Sequence, residues 1–177
     1  MRRTIAVCIC TFCRPEGLRR LLEGLLRTVP RPNSSEDAGY DVRIVVVDND
    51  AEEPNRQLIQ EVAERAPWPL DYLVEPRRGV PYARNRAIAA CGTVDFVAWI
   101  DDDEVPTDGW LEALLSAQQE TAADVVIGPV LPEFETTPPA WVVEGGFFER
   151  ERRRRPDRTQ LTFAYTCNAL VAGDVFG

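Results

Sequence analysis

Asp101, Asp102, Asp103 and Glu104 form four consecutive acids directly behind the apolar run Phe96-Val97-Ala98-Trp99-Ile100. Like charges this close repel unless a cation neutralises them, and carboxylate oxygens are hard ligands that suit Mg2+ or Mn2+. The plainer alternative is a solvated acidic turn ahead of the next helix. Two more polar clusters follow apolar runs: Thr11 to Arg14 behind residues 4–10, and Asp48-Asn49-Asp50 behind residues 42–47. Arg77, Arg78, Arg84 and Arg86 gather around Gly79-Val80-Pro81, a turn that opens a helix. Guanidinium groups beside the free N–H groups of a helix start make a diphosphate site. Acids, a divalent cation and arginines together imply a nucleotide diphosphate whose charge is stabilised as it leaves.

Positioning these groups falls to a regular alternation of elements. Residues 4–10, 42–47, 70–74, 95–100 and 124–130 are short apolar runs rich in β-branched residues, which read as strands buried on both faces of a sheet. Between them, Pro15 opens a helix with Leu18, Leu21, Leu22, Leu25 and Leu26 on one stripe. Further helices are expected over residues 54–66, 82–90 and 110–121, the last capped by Thr107 or Asp108. Strands alternating with helices define an α/β fold, a Rossmann-like mainly parallel sheet with right-handed crossovers and helices on both faces. The three polar clusters then share the edge at the strands' C-terminal ends, where such sheets bind ligands. The alternation stops near residue 130. Residues 132–141 hold three prolines and no periodicity, Gly145-Gly146-Phe147-Phe148 follows, and residues 161–171 return to strand-like composition.

Composition removes many chemistries. All 20 positive charges are arginine and histidine is absent, so there is no Walker lysine, Schiff-base lysine, serine–histidine couple or histidine metal ligand. A metal must be held by carboxylates and a base must be a carboxylate. The net charge of -9 argues against nucleic acid as a partner. The basic run of residues 150–158 is either a solvated loop or a surface for an acidic acceptor or for peripheral membrane contact. Cys8, Cys10 and Cys13 lack a fourth nearby ligand and read as buried thiols, consistent with a reducing, cytoplasmic setting. Arg2-Arg3 and its short apolar run do not make a signal peptide, and no segment is long and apolar enough to span a bilayer.

The chain resembles the nucleotide-sugar-dependent glycosyltransferases of family 2, which share the GT-A fold. Val7-Cys8-Ile9-Cys10-Thr11-Phe12-Cys13-Arg14-Pro15, Val45-Val46-Val47-Asp48-Asn49, Gly79 with Ala83-Arg84-Asn85, the stretch Phe96 to Asp103 with Trp110-Leu111, and Gly128-Pro129-Val130 carry the likeness in order and spacing. Thr166-Cys167-Asn168 is a fainter match, with cysteine where the family pattern has glycine. The resemblance implies that Thr11 and Arg14 line the nucleoside pocket, that Asp48 bonds the base, and that Arg84 holds the base or the diphosphate. Asp101 and Asp103 would be the DXD-type pair: Asp101 or Asp102 would reach the ribose or sugar, and Asp103 would ligate Mn2+ or Mg2+. Trp141 and Asn168 fit the acceptor side, or core packing and a turn, equally well.

A metal-dependent, inverting transfer from a UDP-type donor to a carbohydrate, lipid-linked or other hydroxyl acceptor is the expected activity. Residues 1–130 would be its donor half and residues 131–177 an incomplete acceptor-side segment of the same domain. The family's carboxylate base is expected beyond Gly177, since Asp174 is the only acid after Asn168. The sequence is therefore expected to be part of a longer protein, or a noncatalytic nucleotide-sugar-binding module. A sheet left uncovered on one side would also favour homo-oligomers. A nucleotidyltransferase and a dehydrogenase are disfavoured by the missing glycine-rich first loops.

Overall fold

A computed structural model describes residues 2–31, 39–148 and 156–177. The chain runs β1 (Arg3–Thr11), α1 (Pro15–Thr28), β2 (Tyr40–Asp48), α2 (Arg56–Ala63), β3 (Leu70–Val74), α3 (Val80–Cys91), β4 (Phe96–Trp99), α4 (Trp110–Thr121), β5 (Val125–Ile127), α5 (Ala140–Gly145) and β6 (Ala169–Ala172), then a 3₁₀ turn at Gly173–Phe176. The strands form one six-stranded sheet in the order β3-β2-β1-β4-β6-β5. β3, β2, β1 and β4 are parallel neighbours, whereas β6 is antiparallel to both β4 and β5. Two reversals leave β5 running the same way as β4.

Alternation along β1 divides the core. Ile5, Val7 and Ile9 face the layer that holds Leu18, Leu21, Leu22 and Leu25 of α1 with parts of α2 and α4. Ala6 and Cys8 face the opposite layer, made by Ala83, Ala87 and Cys91 of α3. Strands sealed on both sides need no polar face, which is why their sequences are continuous apolar runs. Ala169 and Leu170 of β6 are buried, so the sheet draws on residues from both sides of position 130.

Several boundaries differ from expectation. α3 starts at Val80 with Pro81 inside its first turn, where a missing N–H costs nothing. α4 has no side-chain cap from Thr107 or Asp108. Gly109 precedes it at φ 71°, and the Trp110 N–H donates to the Thr107 carbonyl instead. β5 is only three residues long because Gly128-Pro129 ends it. The strand expected over residues 161–171 shrinks to Ala169–Ala172, since Asn168 takes a left-handed φ of 45° just before it. A short helix, α5, occupies the end of the proline-rich stretch and buries none of its residues. Cys8 is buried but Cys13 is exposed, so that thiol is not the core group its neighbours suggested. Residues 150–155 and most of the polar loop before Gly39 lie outside the described residues.

Candidate active site

The loops after β1 and β4 meet at the C-terminal edge of the sheet. There Thr11, Phe12, Arg14, Arg84, Asp101, Asp102 and Asp103 line a cleft of about 450 Å³ with Cys10, Asn49, Val80 and Ala83. Two close approaches fix its walls. At Gly17 an added Cβ would lie 2.5 Å from the Asp102 carbonyl oxygen, so α1 sits this near the acidic loop only through a glycine. Gly79 holds φ 140° at the start of α3 and donates its N–H to Asn49 Oδ1 at 2.7 Å.

The three aspartates have different surroundings. Asp102 is buried, accepting from Thr11 Oγ1 at 2.8 Å on one oxygen and from Arg14 Nη1 at 3.1 Å on the other. Each of its oxygens takes one internal hydrogen bond, which ties the acidic turn to Thr11 and Arg14. Asp103 is more than half exposed and receives Arg14 Nη1 at 2.8 Å. Asp101 accepts from Arg84 Nη2 at 3.3 Å. Burial pushes the Asp101 carboxyl above its ordinary range, with Arg84 pulling it back and Asp103 and Asp102 adding to the rise. The Asp101 N–H in turn donates to Glu104 Oε2 at 3.0 Å, closing the acidic turn.

Arg84 reaches the cleft from α3, with its guanidinium 5.5 Å from the Trp99 ring centroid and a hydrogen bond to Thr166 Oγ1. The other arginines near α3 do not join it. Arg77 pairs with Glu75 at 2.9 Å and stacks over Tyr82, and Arg78 lies over Phe12 at 4.6 Å. A combined four-arginine diphosphate cradle is therefore replaced by Arg84 and Arg14 in the cleft, with Arg78 at its rim. Cys10 also lines the cleft, but burial pushes its thiol up to about 12, which makes it a poor ligand or nucleophile.

Three expected site residues stand elsewhere. Asp48 is completely buried and receives the Asp50 N–H at 3.1 Å, Asn55 Nδ2 at 2.8 Å and Tyr72 Oη at 2.8 Å. Three internal hydrogen bonds hold Asp48 in its loop, and it is not among the residues that line the cleft. Its neighbour Asn49, part of the same polar cluster but given no role of its own in the sequence, ties the loop together by donating to the Glu75 and Arg77 carbonyls at 2.7 and 2.8 Å. Asn168 accepts from Trp110 Nε1 at 2.7 Å and donates to the Pro129 carbonyl at 2.7 Å, which holds the turn before β6. Trp141 is 65% exposed and meets the Phe147 ring edge to face, so among the described residues it does not pack in the core. Asp174 follows β6, which runs away from the cleft, and the Gly173 N–H bonds to Asp95 at the opposite edge. Asp174 cannot act as a base here.

Asp101 and Asp103 offer oxygen ligands only, and among the described residues no three acidic or cysteine side chains converge on one point. Such a pair fits a hard divalent ion whose remaining ligands come from a phosphate.

A mainly parallel sheet with one antiparallel strand, carrying acids and arginines at its C-terminal edge, is the fold of the GT-A class of nucleotide-diphospho-sugar transferases. Among solved structures, Staphylococcus aureus TarS residues 1–349 aligns at TM-score 0.66 and 16% identity, over 99% of this chain and 48% of that one. The mannosyltransferase PcManGT from Pyrobaculum calidifontis, in complex with GDP-Man and Mn2+, aligns at TM-score 0.61 and 20% identity, over 73% of this chain and 36% of that one. The Glycosyl transferase family 2 description matches residues 6–176, and the chain belongs to that family. It is similar to the succinoglycan biosynthesis protein ExoM of Rhizobium meliloti (strain 1021), 34% identical over 170 residues, 96% of this chain and 52% of that protein. A glucosyl-dolichyl phosphate glucuronosyltransferase of Haloferax volcanii is 26% identical over 145 residues, 81% of this chain and 43% of that protein. The chain thus spans about half the length of the relatives it matches.

Proposed function

We propose that this chain supplies the donor-binding part of a metal-dependent glycosyltransferase that takes a nucleotide-diphospho-sugar and passes the sugar to a hydroxyl acceptor by single displacement with inversion. The observation that carries it is the convergence of Thr11, Arg14, Arg84, Asp101 and Asp103 on one cleft at the sheet's C-terminal edge. Thr11 and Arg14 shape the nucleoside side, held in place by buried Asp102. Arg84 faces the diphosphate, and Asp101 the ribose or sugar. Asp103 would hold Mn2+ or Mg2+, which when bound supplies positive charge against the departing diphosphate. Arg84 adds a fixed guanidinium to the same charge without needing to lose a proton.

A uridine donor is favoured by the TarS structures with UDP and with UDP-GlcNAc, and a divalent cation by the GDP-Man and Mn2+ complex of PcManGT. The names of the bacterial and archaeal relatives point to a carbohydrate or lipid-linked acceptor. Residues 1–130 then act as the donor half. The setting is the reducing cytoplasm at the inner membrane face, consistent with five free cysteines, while among the described residues no helix is long and apolar enough to cross a membrane. The alternative is a nucleotide-sugar-binding module without turnover, which would use the same cleft.

Calorimetric titration of UDP, GDP and dTDP, with and without Mn2+, tests the proposal. One nucleotide is expected to bind only with the metal. Equal binding in its absence would remove the metal role, and no binding of any nucleotide would remove the donor site. Release of sugar from the matching donor, against none, separates the transferase from the binding module.

A further inference from the structure

Cys8 of β1 and Cys91 of α3 are 83 residues apart in the chain, yet their Sγ atoms stand 3.3 Å apart in the layer between sheet and helix. We infer that these two thiols form an oxidation site, closing to a reversible disulfide with hydrogen peroxide as the oxidant and pinning the last turn of α3 to the middle of the sheet.

Hydrogen bonding gives the two sulfurs different parts. The Cys91 thiol donates to the Ala87 carbonyl at 3.2 Å, so the proton lying between the sulfurs belongs to Cys8. Accepting that proton holds the Cys91 thiol below its ordinary range, with burial opposing the shift and Arg43 adding to it. Cys8 is pushed up, first by the same bond and then by burial. Burial likewise raises Cys10, and a bond to Asp50 raises the exposed Cys13. A thiolate, not a thiol, attacks peroxide, so Cys91 reacts ahead of thiols that are easier to reach. It is also the outer member of the pair, the last residue of α3 and 3% exposed, where fraying of one helical turn admits a molecule little larger than water.

The Cys91 thiolate takes one peroxide oxygen, breaking the O–O bond, releasing hydroxide and leaving a sulfenic acid. Cys8 then attacks that sulfur. An S–S bond forms, the S–O bond breaks, and the Cys8 proton leaves with the departing hydroxyl as water. Over both steps the thiols lose two protons and two electrons, and one peroxide becomes two waters. Closure brings the sulfurs together by about 1.3 Å, to an ordinary S–S length of about 2.05 Å. Ala6, Ala83 and Ala87 share the layer with the pair, and Gly92 at φ 62° ends α3 directly after Cys91, so little bulk and no further helix resist the movement. The bond ties the helix that carries Arg84 to the strand that carries Thr11. Because it closes a long loop, it removes much freedom from the unfolded chain and stabilises the fold.

Treating the folded chain with near-equimolar hydrogen peroxide tests the pair, read by mass spectrometry with peptide fragmentation and by thermal melting. A mass loss of two hydrogens and a Cys8–Cys91 bridge are expected, both reversed by dithiothreitol, with a Tm at least about 5 °C above that of the reduced chain. Cys91→Ala should gain neither bridge nor Tm. Cys8→Ala should stop at a dimedone-reactive sulfenic acid on Cys91. The bridge and the melting shift are read on the parent chain, so they decide the matter even if a variant fails to fold. A bridge between other cysteines, a bridge formed only in urea, or an oxidised chain that melts no higher than the reduced one would each overturn the inference. So would dimedone on Cys13 instead of Cys91 in Cys8→Ala. Nucleotide binding enters none of these readings, so its failure would strike the donor site and leave the thiol pair standing.

Discussion

Two strand ends in this protein look alike in sequence and do opposite things. The loop after β2, Asp48-Asn49-Asp50, turns its first two residues inward, where buried Asp48 and Asn49 bond to Asn55, Tyr72, Gly79 and the carbonyls of Glu75 and Arg77. The loop after β4 buries only Asp102, leaving Asp101 and Asp103 beside a cleft with arginines opposite. An acidic strand end is a strut when its oxygens have internal donors, and a site when they face guanidinium groups and open space. Sequence spacing alone does not separate the two.

The largest effect that would sharpen this contrast is expected from Asn49→Ala. It leaves two carbonyls and the Gly79 N–H without their partner, so stability should fall by about 3 kcal/mol in urea titration. A loss below about 1 kcal/mol would mean the loop is not held from within. Asp48→Asn comes next, because an amide cannot accept all three of the present hydrogen bonds. About 2 kcal/mol of stability should go, with UDP affinity measured at saturating Mn2+ unchanged. If affinity collapsed while stability held, Asp48 would be a ligand residue after all and the contrast would break.

Asp103→Ala should invert that pattern. Nucleotide affinity with Mn2+ is expected to drop at least about tenfold, equivalent to about 1.4 kcal/mol, while the melting temperature stays near that of the parent. A large melting shift would make Asp103 a second strut. The smallest effect is expected from Asp101→Asn. Burial raises the Asp101 carboxyl, so the folded state favours the protonated form, and that contribution is present at acid pH and lost as pH rises through the raised value. A neutral amide should keep it at pH 7, raising the melting temperature by roughly 1–2 °C and flattening its decline between pH 4 and 7. A fall in melting temperature would show that Arg84 needs the charge more than burial opposes it.

Much of the sheet was legible because strands buried on both faces leave continuous apolar runs, and the leucine stripe of α1 has one helical period. The cleft was legible to the extent that Thr11, Arg14, Arg84, Asp101 and Asp103 follow strand ends or start a helix. What escaped was pairing. Nothing in the spacing says that Arg77 turns to Glu75, that Arg78 covers Phe12, or that Asn168 serves Trp110, because each partner comes from a distant stretch or a shared turn. The antiparallel insertion of β6 was hidden for another reason: only four residues pair, and the preceding segment carries no period at all.

The face that α3 lays on the sheet consists of Ala83, Ala87 and Cys91, one residue per turn, against Ala6 and Cys8. These small groups let α3 come close to the sheet and, with Val45, Val47, Val97 and Trp99 of the same layer, set the height at which Arg84 stands beside Asp101. Enlarging any of them lifts the helix like a shim under a beam, moving the guanidinium while touching no ligand. In the donor-binding role proposed above, preference for one sugar nucleotide is open to heritable drift through interior substitutions far from the chemistry, and a breeder of new specificities would begin beneath the helix rather than in the cleft.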